Sequence, residues 1–150
     1  TIEIYTLSLH DALPISSKMY VSENYPAVSD FKLTSCIIDT AEKLQYTYVS
    51  GIIRSHDSFY CDRQEEIVGY WSNKGILASD METATLYTVA RLRGARASCI
   101  LNVVVPKGDS IKAGITQYQT IEGPAKEGER REILLALEAL KALSTAEGRE

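Results

Sequence analysis

The chain has 150 residues, 45% hydrophobic and 24% charged, which suits one domain with a single core or a piece of a larger protein. Sixteen Lys and Arg against 20 Asp and Glu leave a net charge of -4 with no long basic run, which argues against a nucleic-acid backbone binder. No apolar stretch approaches the roughly 18–20 residues a membrane helix needs, and the composition is that of neither a disordered nor a collagen-like chain. Cys36, Cys61 and Cys99 are an odd, widely spaced set that matches neither a disulfide framework nor a zinc pattern; the expectation is reduced, mostly buried thiols in a cytoplasmic protein.

In chain order, residues 1–16 read TIEIYTLSLHDALPIS, without the basic start or apolar run of a signal peptide. The run Glu3 to Ile15 resembles, without a mismatch, the conceptual translation of a common sequencing-library adapter. The expectation is therefore an adapter-derived, non-native segment over 1–16, native sequence over 17–144 and a frayed tail over 145–150, with the true N-terminal part missing. The alternative is a genuine strand, since Ile2, Ile4 and Tyr5 have β propensity. Setting the segment aside removes Glu3, Asp11 and His10, so the acidic count falls from 20 to 18, the basic count stays at 16, and His56 is the only histidine. That leaves almost no material for a His-based dyad or a multi-His metal site.

From Val28 to Gln45 the apolar residues Phe31, Leu33, Cys36, Ile37, Ala41 and Leu44 recur at three- and four-residue steps, which predicts an amphipathic helix capped by Ser29 or Asp30. Tyr46 to Ile53 is β-branched and aromatic and predicts a strand. Arg54 to Asp62 reads as a polar loop interrupted by Phe59 and Tyr60. Gln64 to Lys74, with Ile67, Val68 and Trp71 on one face, predicts a short helix ended by Gly75. Ile76 to Ser79 predicts a short strand, and Asp80 opens a second helix that Gly94 terminates. Ala97 to Val105 is nearly continuous apolar sequence, the pattern of a strand buried on both faces. Residues 109–128 are polar with a weak pattern, and Glu129 to Ser144 predicts a strong terminal helix. Alternating strands and helices give an α/β class with a central, mostly parallel or mixed sheet flanked by helices.

Ligands of open α/β sheets bind beyond the carboxyl ends of the strands. Two such ends stand out: Ser55-His56-Asp57-Ser58-Phe59-Tyr60, and the turn Ser79-Asp80-Met81-Glu82-Thr83. A carboxylate in the first turn of a helix is favoured by the dipole and is placed to accept two hydrogen bonds from a vicinal diol, as ribose recognition requires. On spacing alone the plainer readings stand beside this one: Asp80 as N-cap, Glu82 as dipole partner, Phe59 and Tyr60 as core or lid residues, and His56 as a polar loop residue.

In combination, SHDSFY, a helix, and GILASDMETATLYTVARLRGARASCILNVVV resemble the C-terminal half of the nucleoside phosphorylase family, its uridine branch in particular, over about Lys18 to Leu143. The resemblance implies a partial phosphorylase-type domain and reversible phosphorolysis, in which a nucleoside and phosphate give a base and a pentose 1-phosphate. By the same resemblance Glu82 is the catalytic residue, holding the ribose hydroxyls. Met81 packs on the sugar, and Asp80, in a position where the uridine branch has another acid, is expected to bind the ribose with them. Phe59 packs against base and sugar, and Val104 and Val105 lie where apolar residues line the base pocket. Orthophosphate is a co-substrate, with no metal or organic cofactor. The partners are a nucleoside and phosphate, not nucleic acid or a membrane, and family members are oligomers, commonly hexamers.

The chain also departs from the family pattern. The uridine branch usually has a Gln and an Arg two apart after the aromatic motif; here Arg63 and Gln64 are adjacent and in swapped order, either as readers of the base or as the exposed start of a helix. The purine branch has an acid after the apolar strand that protonates the purine, and the nucleosidases need it too; this chain has Val105-Pro106-Lys107. Lys107 is either a positive charge near the pyrimidine carbonyl or a solvated residue. The family's phosphate site, a Gly-rich turn and arginines of the first half, has no counterpart here. The expectation is a phosphorylase parent and little activity in this chain alone, with a purine phosphorylase, a nucleosidase or a non-catalytic nucleoside-binding fragment as alternatives.

Overall fold

The computed structural model describes residues 2–9, 15–22, 24–58, 60–105, 108 and 124–148. Their elements run β1 (Ile2–Leu9), α1 (Ile15–Lys18), β2 (Ala27–Val28), α2 (Phe31–Lys43), β3 (Tyr48–Ser55), α3 (Gln64–Ser72), β4 (Ala78–Asp80), α4 (Thr83–Leu92), β5 (Cys99–Asn102) and α5 (Pro124–Ala146). The expected α/β alternation is present. The sheet is mixed: β1 pairs antiparallel with β2, while β3 and β4 are parallel. Strand order is β2-β1-β3-β4, and β5 pairs with β1. Ile2, Ile4, Tyr5 and Thr6 suit a strand whatever their origin, so the pairing of β1 leaves open how residues 1–16 arose.

The chain divides into two compact units. The first comprises Thr1–Ile4, Ser35–Val49 and Ile100–Glu150. Its buried apolar residues are Ile37 and Ala41 of α2 and Leu135 and Ala139 of α5, and the Cys36 thiol donates to the Ala139 carbonyl at 3.2 Å. The predicted reach of α2 to Gln45 is shortened because Gln45 takes a left-handed backbone (φ 56°) and the Tyr46 N–H closes on the Ala41 carbonyl at 2.9 Å. α5 begins five residues before the expected Glu129, since Pro at the first helical position has the φ a helix needs and no N–H to leave unbonded. Its first turns are laced by Lys126–Glu129 and Glu127–Arg131 ion pairs at 2.7 and 2.8 Å. The helix runs to Ala146, two residues beyond the expected end, and its outer face leaves Ile133, Leu134, Leu137 and Leu140 exposed.

The second unit comprises Tyr5–Thr34 and Ser50–Cys99. Ala27, Ala84 and Tyr87 form its buried cluster, with Val21, Ala97 and Cys99 packed against them, and Ile53 and Ile76 are buried as well. α2 starts at Phe31, directly after Asp30, one of the two expected caps: its Oδ1 accepts the Leu33 N–H at 2.9 Å. Phe31, expected on the apolar face, lies in the uncovered first turn and is 83% exposed. Gly75 (φ 82°) and Gly94 (φ 68°) end the turns after α3 and α4, as expected of left-handed glycines. β3 is displaced two residues along the chain from its predicted span.

Two further expectations are corrected. β5 is four residues long and half-buried throughout, and Val103 and Val104 beyond it are exposed, so the apolar run is not a strand buried on both faces. Apolar composition marks a run that favours burial, but neighbouring elements set how much of it is covered. The cysteines are not mostly buried: Cys36 and Cys99 are half-buried and Cys61, in the polar turn before α3, is exposed. No helix among the described residues is long and apolar enough to cross a membrane.

Candidate active site

The parallel register of β3 and β4 sets the site. Ile53, Arg54 and Ser55 pair with Ala78, Ser79 and Asp80, so both strands end together and Ser55 faces Asp80 across the ladder. Side chains alternate along a strand, which puts Ser55 on the same face as the buried Ile53 and turns Arg54 to the other face, its guanidinium 5.9 Å from the Trp71 ring centroid. The His56 N–H continues the ladder by donating to the Asp80 carbonyl at 3.0 Å.

At these strand ends a compact network holds the start of α4. The Ser55 hydroxyl donates to Asp80 Oδ1 at 2.5 Å and accepts the Ala84 N–H at 3.0 Å. Asp80 Oδ2 accepts the Thr83 N–H at 2.7 Å and, more weakly, the Glu82 N–H at 3.3 Å. Asp80 is thus the last residue of β4 and the side-chain cap of α4, and the helix proper starts at Thr83, three residues after the predicted start. Three backbone donors that a helix start leaves without intrahelical partners are satisfied within the chain. The Glu82, Thr83 and Ala84 N–H groups are therefore not vacant for an anion.

Glu82 is different. It is exposed, and its own Oε2 accepts the N–H of its neighbour Met81 at 3.1 Å. Its carboxylate stands in the first turn at the mouth of the parallel pair, with Met81 half-buried beside it. Two acids two residues apart therefore have separate situations, one bonded into the fold and one open to solvent.

His56 closes the other side of the mouth. Its Nδ1 lies 2.8 Å from the Ser58 carbonyl, which only accepts, so Nδ1 carries the proton and Nε2 is left as an acceptor. Burial first, and then the Arg54 guanidinium, push the imidazole below its ordinary value, which keeps it neutral near pH 7. The Ser58 hydroxyl donates to the Tyr60 carbonyl at 2.7 Å.

The structure brings together Asp80, Met81 and Glu82 with Ser55 and His56. Arg63 and Gln64 stand at the start of α3, and the Arg63 guanidinium makes a two-point ion pair with Glu66, at 2.8 and 2.5 Å, on an exposed surface. Gln64 is half-buried. Val104 is exposed and Val105 half-buried just after β5, in the first unit. Phe59, Pro106 and Lys107 lie outside the described residues. Sequence reading assigned no role to Ser55, because the pairing that places its hydroxyl on Asp80 is a matter of register between two strands. The available signal was a hydroxyl residue closing one strand and an acid closing the next.

The sequence profile described as the phosphorylase superfamily matches residues 6–131. The chain is 33% identical over 141 residues to a uridine phosphorylase of Thermococcus kodakarensis, covering 86% of this chain and 47% of that protein. It is 33% identical over 128 residues to a guanosine phosphorylase of Halorubrum lacusprofundi, covering 85% and 53% respectively. A crystal structure of uridine phosphorylase from Vibrio fischeri superposes with a TM-score of 0.79 at 35% identity, over 94% of this chain and 56% of that one. The chain thus spans about half the length of the relatives it matches. With its mixed sheet, parallel β3–β4 mouth and Met81-Glu82 helix start, this chain belongs to the phosphorylase superfamily.

Proposed function

We propose that the intact gene product is a nucleoside phosphorylase acting on uridine-like pyrimidine nucleosides, with Glu82 as the catalytic carboxylate. The observation that carries this reading is the division of labour at the strand mouth. Asp80 is committed to the cap, while Glu82 is exposed with its carboxylate open to a diol. A carboxylate accepting two hydroxyl protons fixes the sugar. Its charge also opposes the positive charge that grows on the ribosyl carbon as the bond to the base breaks. In that step a phosphate oxygen forms the bond to C1′ from one face. The base leaves from the other with the bonding pair and takes up a proton. We assign Met81 to the sugar, and Phe59, Arg63, Gln64, Val104 and Val105 to the base, as the family resemblance implies.

Engagement of the Glu82, Thr83 and Ala84 N–H groups by Asp80 and Ser55 supports delivery of phosphate by another segment. No metal or organic cofactor takes part. The likeness to a guanosine phosphorylase keeps a purine substrate as the second reading, against which stands Val105-Pro106-Lys107 in place of an acid. We further propose that residues 1–16 are adapter-derived, that the native protein carries its phosphate site upstream, and that it is a cytoplasmic homo-oligomer. Sequencing the locus upstream of Ser17 tests the first point: native codons matching TIEIYTLSLHDALPIS would refute it.

Activity is tested on the full-length gene product with uridine, inosine and methylthioadenosine, each with and without phosphate. Phosphate-dependent release of uracil is the expected result, and turnover without phosphate would overturn the assignment. Glu82→Ala is expected to lower uridine turnover by about two orders of magnitude, the equivalent of a few kcal/mol of lost positioning. Unchanged turnover would point to a non-catalytic nucleoside-binding module.

A further inference from the structure

The assignment of Glu82 raises the question of what holds it. An exposed carboxylate on a long side chain is a poor grip for a diol unless the backbone beneath it is fixed. Here that backbone is Met81-Glu82-Thr83, a turn between a three-residue strand and a helix. Thr83 is buried and its hydroxyl donates to Cys99 Sγ at 3.3 Å, but Met81 is only half-buried and Glu82 is exposed.

Two further side chains fix its backbone. Asp80 binds it from the strand side through Glu82 N–H and Thr83 N–H. Ser55, 1% exposed at the end of the neighbouring strand, reaches both Asp80 Oδ1 and Ala84 N–H. The hydroxyl is therefore the joint of three elements: it belongs to β3, it orients the last side chain of β4, and it anchors the first turn of α4. A charge-assisted O–H to carboxylate bond is among the stronger hydrogen bonds available to a side chain. It also selects the orientation in which Oδ2, rather than Oδ1, meets the helix.

We infer that Ser55 and Asp80 form a positioning pair that sets the Glu82 carboxylate for the nucleoside's sugar hydroxyls. Asp80, the acid two residues before Glu82, acts through the backbone and does not touch the sugar. Because this rests on the phosphorylase reading, the test must separate the two. Uridine is compared with 2′,3′-dideoxyuridine, which lacks both hydroxyls and so gives Glu82 nothing to hold.

In the full-length gene product, Ser55→Ala and Asp80→Asn are expected to lower kcat/KM for uridine about ten-fold or more, and that for the dideoxynucleoside less than about three-fold, with the KM for phosphate unchanged. Ser55→Thr, which keeps the hydroxyl, is expected to retain the wild-type ratio between the two substrates. Melting temperatures show that each variant is folded under assay. Equal losses on both substrates would make the pair merely structural and overturn the inference. So would wild-type uridine kinetics in Ser55→Ala while Glu82→Ala is impaired. If Glu82→Ala itself turns uridine over normally, the phosphorylase reading fails first.

Discussion

Removing the Asp80 carboxylate tests the joint between β4 and α4 directly as stability. Asp80→Ala takes away the cap bonds to Thr83 and Glu82 and the short acceptor of Ser55. Loss of a helix cap costs about 1–2 kcal/mol, and loss of a charged acceptor from a buried hydroxyl adds about 1–2 kcal/mol, so about 3 kcal/mol is expected. Ser55→Ala removes one donor to Asp80 and one acceptor for Ala84, a loss of about 1–2 kcal/mol. The two changes share a bond, so the double variant should lose about 1 kcal/mol less than the sum of the singles. Urea unfolding followed by far-ultraviolet circular dichroism on the four proteins measures all three quantities. Losses that add to within about 0.5 kcal/mol would mean that Ser55 and Asp80 act independently, and the joint described here would not exist.

Glu132, half-buried on α5, has its carboxyl raised from 4.5 to about 7, by burial first and by Glu129 second. Its folded value exceeds its unfolded one, so the penalty is absent below pH 4.5 and grows as pH rises to about 7. Glu132→Gln should therefore gain about 1 kcal/mol at pH 8, after discounting for solvent exposure, and nothing at pH 4; a gain independent of pH would refute the assignment. Cys61 is the exposed thiol of the three, so a disulfide exchange reagent should label the folded chain in one fast phase, removed by Cys61→Ser, and two slower ones.

Much of this fold was legible because local rules and tertiary packing agree. The glycine stops at Gly75 and Gly94 need only a positive φ, and the Asp30 cap needs only a side chain three residues ahead of a free N–H. Agreement broke down where the deciding partner is distant in sequence. β5 is an apolar run whose coverage depends on other elements, and its half-burial could not be read from composition. The early start of α5 at Pro124 followed a proline signal in a stretch otherwise read as irregular. In the site, the acidic turn was visible as Asp80-Met81-Glu82, but not which acid would be committed to the fold, because that is decided by Ser55, 25 residues upstream.

The commitment has a physical logic that spacing alone does not contain. An acid at the end of a parallel strand sees the first N–H groups of the next helix, whose partial positive charge favours a nearby carboxylate. Asp has one methylene and reaches those groups from position 80; Glu82, two residues further and longer by a methylene, is exposed and accepts only the N–H of its neighbour Met81 among the described residues. Exchanging the two would reverse their situations only in part, since a glutamate at 80 would overshoot the Thr83 N–H and crowd the Ser55 hydroxyl. A short acid as cap and a long acid as grip thus follow from side-chain length against a fixed strand–helix turn. The same geometry that stabilises α4 leaves a single carboxylate of the pair, that of Glu82, facing out of the mouth of β3 and β4.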